Sequence, residues 1–197
     1  IMPLGAFKAA LMGTAGVSTG DVVLLSSQTA SSSATLDFTS GITSTYGEYI
    51  FKFYNINPAT NETDFSVQFN ASGQSGYNET MTTAVFTAAH DEADSSTSLA
   101  YDASIDQAND DAAFQQLAPN IGNGGDESAA GELHLFNPSS TTYVKQFYSR
   151  VNEYHQANYT QDNFVAGFIN VTAAITNVQF KMSSGNFDGK IKMWGVK

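Results

Sequence analysis

The chain has no cysteine among its 197 residues, which excludes disulfides, thiolate nucleophiles and the commonest ligands of structural zinc. Cations are scarce: 8 Lys and Arg stand against 19 Asp and Glu, a formal charge of -11. Such a field repels a phosphate backbone, so nucleic acid is not an expected partner. The shortage is also uneven. No Lys or Arg occurs between Lys52 and Lys145, while carboxylates recur from Glu62 to Glu132. No apolar run approaches the roughly 18 residues of a membrane-spanning helix, and no membrane insertion is expected.

What is abundant are aromatics, 14 Phe and 9 Tyr, set among Gly, Ser, Thr, Asn and Ala. Large rings suit strands and can fill a core that has few leucines. Alternation supports this reading. In "GEYIFKFYNI" at 47–56, Tyr49, Phe51 and Phe53 share one face, and the face carrying Ile50, Lys52 and Tyr54 is mixed. "DFSVQFN" alternates Phe65, Val67 and Phe69 with Ser66 and Gln68, the pattern of a half-buried strand. "DVVLLSSQ", "ATLDF", "MTTAVFTA", "ELHLFN", "FVAGFINVTAAI", "NVQFKMSS" and "GKIKMWGVK" supply further strands, with Val178, Phe180, Met182, Ile191 and Met193 inward. The run 141–155 offers no purely apolar face. "SGNFDG" suggests a tight turn joining the last two strands as a terminal hairpin. Residues 99–131 are the least regular; Ile105, Ala108 and Ala112 lie at helical intervals before Pro119, and a short surface helix is expected there.

With eight to ten strands and no repeated crossover helices, the expected fold is an all-β, jelly-roll-like antiparallel β-sandwich. It comprises an N-terminal attachment arm (1–20), one sandwich domain (21–197) and one long acidic excursion.

No catalytic constellation accompanies this fold, and no enzyme is expected. His90, His134 and His155 form no metal-binding spacing, no serine lies in GxSxG, and "GNGG" at 122–125 lacks the strand and helix of a phosphate cradle. "HDEAD" (His90–Asp94), joined by Asp102 and Asp106, clusters carboxylates that suit calcium, but without the DxDxDG spacing it reads as a solvated acidic loop. No cofactor is therefore expected, calcium being the one alternative. The aromatics at turns and mixed faces are of more interest. Tyr148, Tyr154 and Trp194 are candidate interface residues, while Tyr77, Asn78 and Tyr101 are candidates for stacking on, and bonding to, a glycan.

Two stretches also carry a resemblance. "NVQFKMSSGNFDGKIKMWGVK" (Asn177–Lys197) and "LLSSQTASSSATLDFTSGITSTYGEYIFKFYNINPAT" (Leu24–Thr60), preceded by the arm "MPLGAFKAALMGTAGVS" (Met2–Ser18), resemble virion structural proteins of tailed bacteriophages, particularly those of marine and cyanobacterial hosts. The resemblance covers the two ends and leaves about 75–145 weakly matched. It implies a jelly-roll-like domain on the virion surface, as a capsid decoration (cement) or tail-fibre component. It implies Phe180, Met182, Ile191 and Met193 in the core and Gly185 and Gly189 at the terminal turn. The expected partners are other virion proteins and further copies of the chain, a trimer among the arrangements, with assembly through Met2, Leu4, Phe7, Leu11 and Met12 of the arm. The alternative is a receptor-recognition domain that binds a host surface glycan.

Overall fold

The computed structural model describes residues 21–109 and 113–197. The arm residues Met2, Leu4, Phe7, Leu11 and Met12 lie outside the described residues. Among the described residues are twelve strands: β1 (Val22–Ser33), β2 (Thr35–Phe38), β3 (Glu48–Pro58), β4 (Thr63–Ala71), β5 (Met81–Asp91), β6 (Thr97–Tyr101), β7 (Gln115–Ile121), β8 (Ala129–Phe136), β9 (Lys145–His155), β10 (Tyr159–Ile169), β11 (Ile175–Met182) and β12 (Phe187–Val196). All the pairings between these strands are antiparallel. One layer runs β1-β12-β3-β8-β9-β10-β5-β6 and the other β2-β11-β4-β7. The pairing of Ile121 with His155 ties β7 to β9, so the twelve strands make one nearly closed sheet.

The alternation read from the sequence sets the core. Tyr49, Phe51 and Phe53 on β3, Phe65, Val67 and Phe69 on β4, and Val178, Phe180 and Met182 on β11 are buried, as are Ile191 and Met193 on β12. Phe180 is the hub: its ring lies 5.2 Å from Phe53, 5.5 Å from Phe51 and 5.8 Å from Phe65. Because β3 is not hydrogen-bonded to β4 or β11, these rings join the two layers. The Phe53 ring meets Phe180 edge to face and the Phe65 ring stacks on it, and both arrangements add to the apolar area they bury.

Four expectations are corrected. Among the described residues no helix precedes Pro119: Ile105 sits in a turn, Ala108 bridges to Thr82, and Gln115–Ile121 is strand β7. The buried Gln115 amide fixes that strand, accepting from Thr83 Oγ1 at 2.7 Å and donating to the Ile105 carbonyl at 3.0 Å. Pro119 is tolerated because β7 pairs with β4 over most of its length and with β9 at a single residue. Second, β11 and β12 form no hairpin: β11 lies between β2 and β4, and β12 between β1 and β3. The connection crosses from one layer to the other, held by Ser183 Oγ against Thr63 Oγ1 (2.9 Å) and by Asn186 Nδ2 donating to Ser32 O (2.8 Å). Third, Gly185 belongs to that crossing, whereas Gly189 sits inside β12 at a bulge. There φ is +140°, and a Cβ would lie 2.8 Å from Asn55 O. Fourth, β4 is not half-buried. Ser66 and Gln68 on its second face are buried as well, and Gln68 Nε2 donates to the carbonyls of Glu79 (3.1 Å) and Ala113 (2.8 Å).

Candidate functional site

Patterning is mixed on one side of the molecule, where polar residues share the inward face with Met81, Val85, Phe147, Val151, Val165 and Ile169. On β5, β9 and β10 the inward positions carry Thr83, Thr87, Ser149, Glu153, His155, Gln161 and Asn163, all buried. The outward positions of the same strands carry Phe86, Tyr148 and Phe164. The strands tolerate this because the interior amides and hydroxyls find partners. Gln161 donates to Asn163 Oδ1 (2.8 Å), Asn163 to Val151 O (3.3 Å) and Ser149 to Glu132 O (3.0 Å). Lys145, fully buried at the start of β9, donates to the carbonyls of Val171, Thr172 and Ala173 at 3.1, 2.7 and 2.7 Å. Burial lowers its pKa, with the Glu79 carboxylate opposing.

The exception inside is Glu153. Both carboxyl oxygens are buried with no hydrogen-bond partner, and desolvation pushes its pKa up to about 9, so it is neutral at pH 7. His155, two positions on along the same face, has its pKa lowered by burial. It stacks on Tyr159 with ring centres 4.0 Å apart.

Outside, register aligns the side chains into rows across the large layer. One row runs Lys192, Lys52, Glu132, Arg150, Phe164, Phe86 and Tyr101, from β12 to β6. Its first four members are charged and its last three aromatic. Lys52 pairs with Glu132 at 3.3 Å, and Arg150 grips Asp162 from Nη2 at 2.7 Å and from Nε at 2.9 Å. Arg150 also lies over the Phe164 ring at 5.1 Å, and Phe164 stacks on Phe86 at 4.5 Å and 7°. The adjacent row runs Leu24, Trp194, Ile50, His134, Tyr148, Ala166 and Ala84. In it, His134 stacks on Tyr148 at 4.5 Å and is held by Glu48 through Nδ1. Glu132 beside it is held below the usual carboxylate range: burial opposes the shift, but the hydrogen bonds from His134 and Lys52 prevail.

The aromatic end of this face is open. Phe86 is 45 % exposed, Tyr101 57 % and Leu99 75 %. All five residues of β6 are exposed, and among the described residues β6 pairs only with β5. Its sequence, Thr-Ser-Leu-Ala-Tyr, holds no charge and no proline, and its register has no bulge. An edge without those protections is a template for another strand.

The expected site residues separate on this frame. Tyr148 and Trp194 lie in one outward row; Trp194 is half-buried, with its indole nitrogen buried and unpartnered. Tyr154 also points outward on β9, donating to Glu92 at 2.9 Å, which raises its pKa. The glycan candidates are not brought together. Tyr77 is partly buried against Asp37 and Asn177 at the small layer, where burial and then the Asp37 hydrogen bond raise its pKa. Asn78 is exposed beside it in the β4–β5 connection, whereas Tyr101 lies on β6 of the large layer and donates to Asp106 at 2.6 Å. Phe86, Phe164 and Leu99 are not among the expected site residues; on β5 and β10 the faces opposite Phe86 and Phe164 mix Thr83, Thr87, Gln161 and Asn163 with Val85 and Val165.

The acidic loop residues cap turns. Asp91 accepts from the backbone N–H of Ser95 (2.9 Å) and Ser96 (2.8 Å), and Asp102 from that of Ser104 (3.0 Å). Among the described residues no group of three or more His, Asp or Glu side chains is placed to hold a metal ion. Comparison with known proteins gives no match to a family model, a curated protein or a solved structure.

Proposed function

We propose that this chain is a non-catalytic assembly protein whose large layer docks other copies through the outward aromatics of β5, β9 and β10 and the open edge β6. The observation that carries the reading is the outward apolar patch of Phe86, Phe164, Tyr148, Leu99 and Tyr101, over an interior that mixes apolar side chains with amides and a carboxyl. Burying those side chains is favourable by about 25 cal/mol per Å² of apolar area, and only another surface can bury them. The partner strand is β1 of a neighbouring copy. It is the other end of the same layer, carries no charged residue, and exposes Val22 and Leu24. Two copies of β6 would instead bring the acidic loops that flank it face to face. A heterologous contact of this kind closes into a ring where its rotation closes, a trimer being one such ring, and extends into a filament where it does not.

The resemblance of Leu24–Thr60 and Asn177–Lys197 to tailed-phage virion proteins supports placing the assembly on a virion surface, as a capsid decoration or tail-fibre component. The arm 1–20 is then its attachment to other virion proteins. The neighbouring of chain-distant strands, β1 beside β12 and β3 beside β8, supports a jelly-roll-like description of the closure. Electron cryomicroscopy of the particle carrying the chain tests this reading. Copies that contact one another through β5, β6 and β10 are expected, on the capsid lattice for a decoration protein or at the tail for a fibre. Copies whose β6 edge and Phe86 face solvent in the assembled particle would overturn it.

A further inference from the structure

Beside the aromatic end of the large layer, the outer face dips. Ala130 on β8 presents only a methyl group between Tyr54 on β3 and Asn152 on β9, and the gap forms a trough of about 430 Å³. One side of the trough is the Tyr54 ring, 40 % exposed and held in place by Lys192, whose Nζ lies 5.3 Å from the ring centre. The other walls are two ion pairs, Lys52 with Glu132 and Arg150 with Asp162. A second depression of about 570 Å³ lies on the far side of Tyr54, bounded by Asn55, Lys190 and Lys192. Tyr54 is therefore a ridge with a polar hollow on each side.

The chemistry of the walls selects a ligand class. An anion would meet two carboxylates in the first hollow, within a chain of formal charge -11, and both cations there are already paired. A cation would meet Lys52 and Arg150. A neutral molecule that donates and accepts at neighbouring positions fits both members of each pair, and a vicinal diol does so: one hydroxyl donates to a carboxylate while the next accepts from a guanidinium or ammonium. The exposed phenol ring offers a flat apolar surface for the C–H face of a pyranose, and 430 Å³ is within the size range of small-ligand sites.

We infer that the trough beside Tyr54 binds a neutral saccharide, with Tyr54 as the stacking platform and the Glu132–Lys52 and Asp162–Arg150 pairs reading adjacent hydroxyls. The site lies on β3, β8, β9 and the start of β10, beside the outward aromatics of β9 and β10 and apart from the β6 edge. It does not depend on the virion reading.

The test is a nitrogen-15 NMR titration of the full chain with three probes used separately: an α-1,4-glucan, a β-1,4-glucan and a β-1,4-N-acetylglucosamine tetrasaccharide. At least one probe is expected to shift the amides of Tyr54, Ala130, Glu132 and Asn152, at millimolar concentrations. Tyr54→Ala should weaken that binding about tenfold or more, with amide shifts elsewhere unchanged. Asp162→Asn, a partly exposed change that keeps the shape of the wall, should weaken it about threefold or more. No response to any of the three, or a response that persists unaltered in Tyr54→Ala, would overturn the inference; so would shifts confined to Tyr77, Asn78 and Tyr101.

Discussion

The half of the molecule built on β2, β3, β4, β11 and β12 buries Phe38, Phe51, Phe53, Phe65 and Phe180 and turns Lys52, Lys190 and Lys192 outward. The half built on β5, β6, β9 and β10 is mixed inside, burying Glu153, His155, Gln161 and Asn163 beside Val85, Phe147, Val151 and Val165, and turns Phe86, Tyr101, Tyr148 and Leu99 outward. Both halves obey the period of two, and both satisfy most of their buried polar groups. The difference is what each face meets. The aromatic half folds against its own second layer, whereas the outward side chains of the other half stay exposed, Phe86 at 45 %, Tyr101 at 57 % and Leu99 at 75 %. Alternation thus reports that a strand has two unlike faces, without saying which face belongs to the chain's own core.

The comparison breaks first at Phe180, where four ring contacts from β2, β3 and β4 converge. Phe180→Ala should destabilise the fold by about 3–5 kcal/mol, read as a fall in the denaturation midpoint. In the same aromatic half, Gln68→Leu removes the donor to the Glu79 and Ala113 carbonyls, at a cost of about 1–3 kcal/mol by the same measurement.

Glu153, in the other half, sharpens the comparison because it is the one interior polar group there whose two oxygens have no partner. Its carboxyl has a pKa of about 9 in the folded chain against 4.5 for the free group. Between those values the folded state holds a proton that the unfolded state has lost, so the stability contribution is full below 4.5 and declines as pH rises toward 9. His155 acts oppositely: its pKa is lowered from 6.5, so its contribution is present above 6.5 and is lost as pH falls below it. Glu153→Gln should remove the alkaline decline and raise stability at pH 8 by about 1–3 kcal/mol. Unfolding curves of both proteins from pH 5 to pH 9 check this, and parallel pH profiles would mean that the carboxyl is not the source.

The smallest effect on the folded chain is expected at the surface. Leu99→Lys should change the stability of the isolated subunit by no more than about 0.5 kcal/mol, measured at concentrations low enough to keep it unassociated, while adding an edge charge that opposes strand pairing.

Ten of the twelve strands were legible because aromatic or aliphatic residues recur in them at period two, as in Tyr49-Phe51-Phe53 and Val178-Phe180-Met182. β6 and β7 were not. Thr97–Tyr101 is too short and too polar at its start to announce a strand, and in Gln115–Ile121 the residue that fixes the strand is a buried glutamine whose partners, Thr83 and Ile105, are distant in sequence. The terminal hairpin failed for a related reason. A short Gly- and Asn-containing connection is compatible with a hairpin and with a step between layers, and the choice rests on which strands flank β11 and β12. Of the outward face, Tyr148 and Trp194 were visible as aromatics on mixed strands. The trough was not, since it depends on Ala130 falling between Tyr54 and Asn152, a coincidence of register across three strands.

The most direct test of the central claim, that the outward aromatics of β5 and β10 are an interface between copies, is sedimentation velocity of the full chain beside Phe86→Asp across a concentration series. Phe86 is 45 % exposed in the aromatic row between Phe164 and Tyr101, so the variant should fold with unchanged circular dichroism. The account predicts a wild-type chain that associates with rising concentration and a Phe86→Asp chain that stays monomeric throughout. A wild-type chain that remains monomeric across the series, or a Phe86→Asp chain that associates as the wild type does, would contradict it.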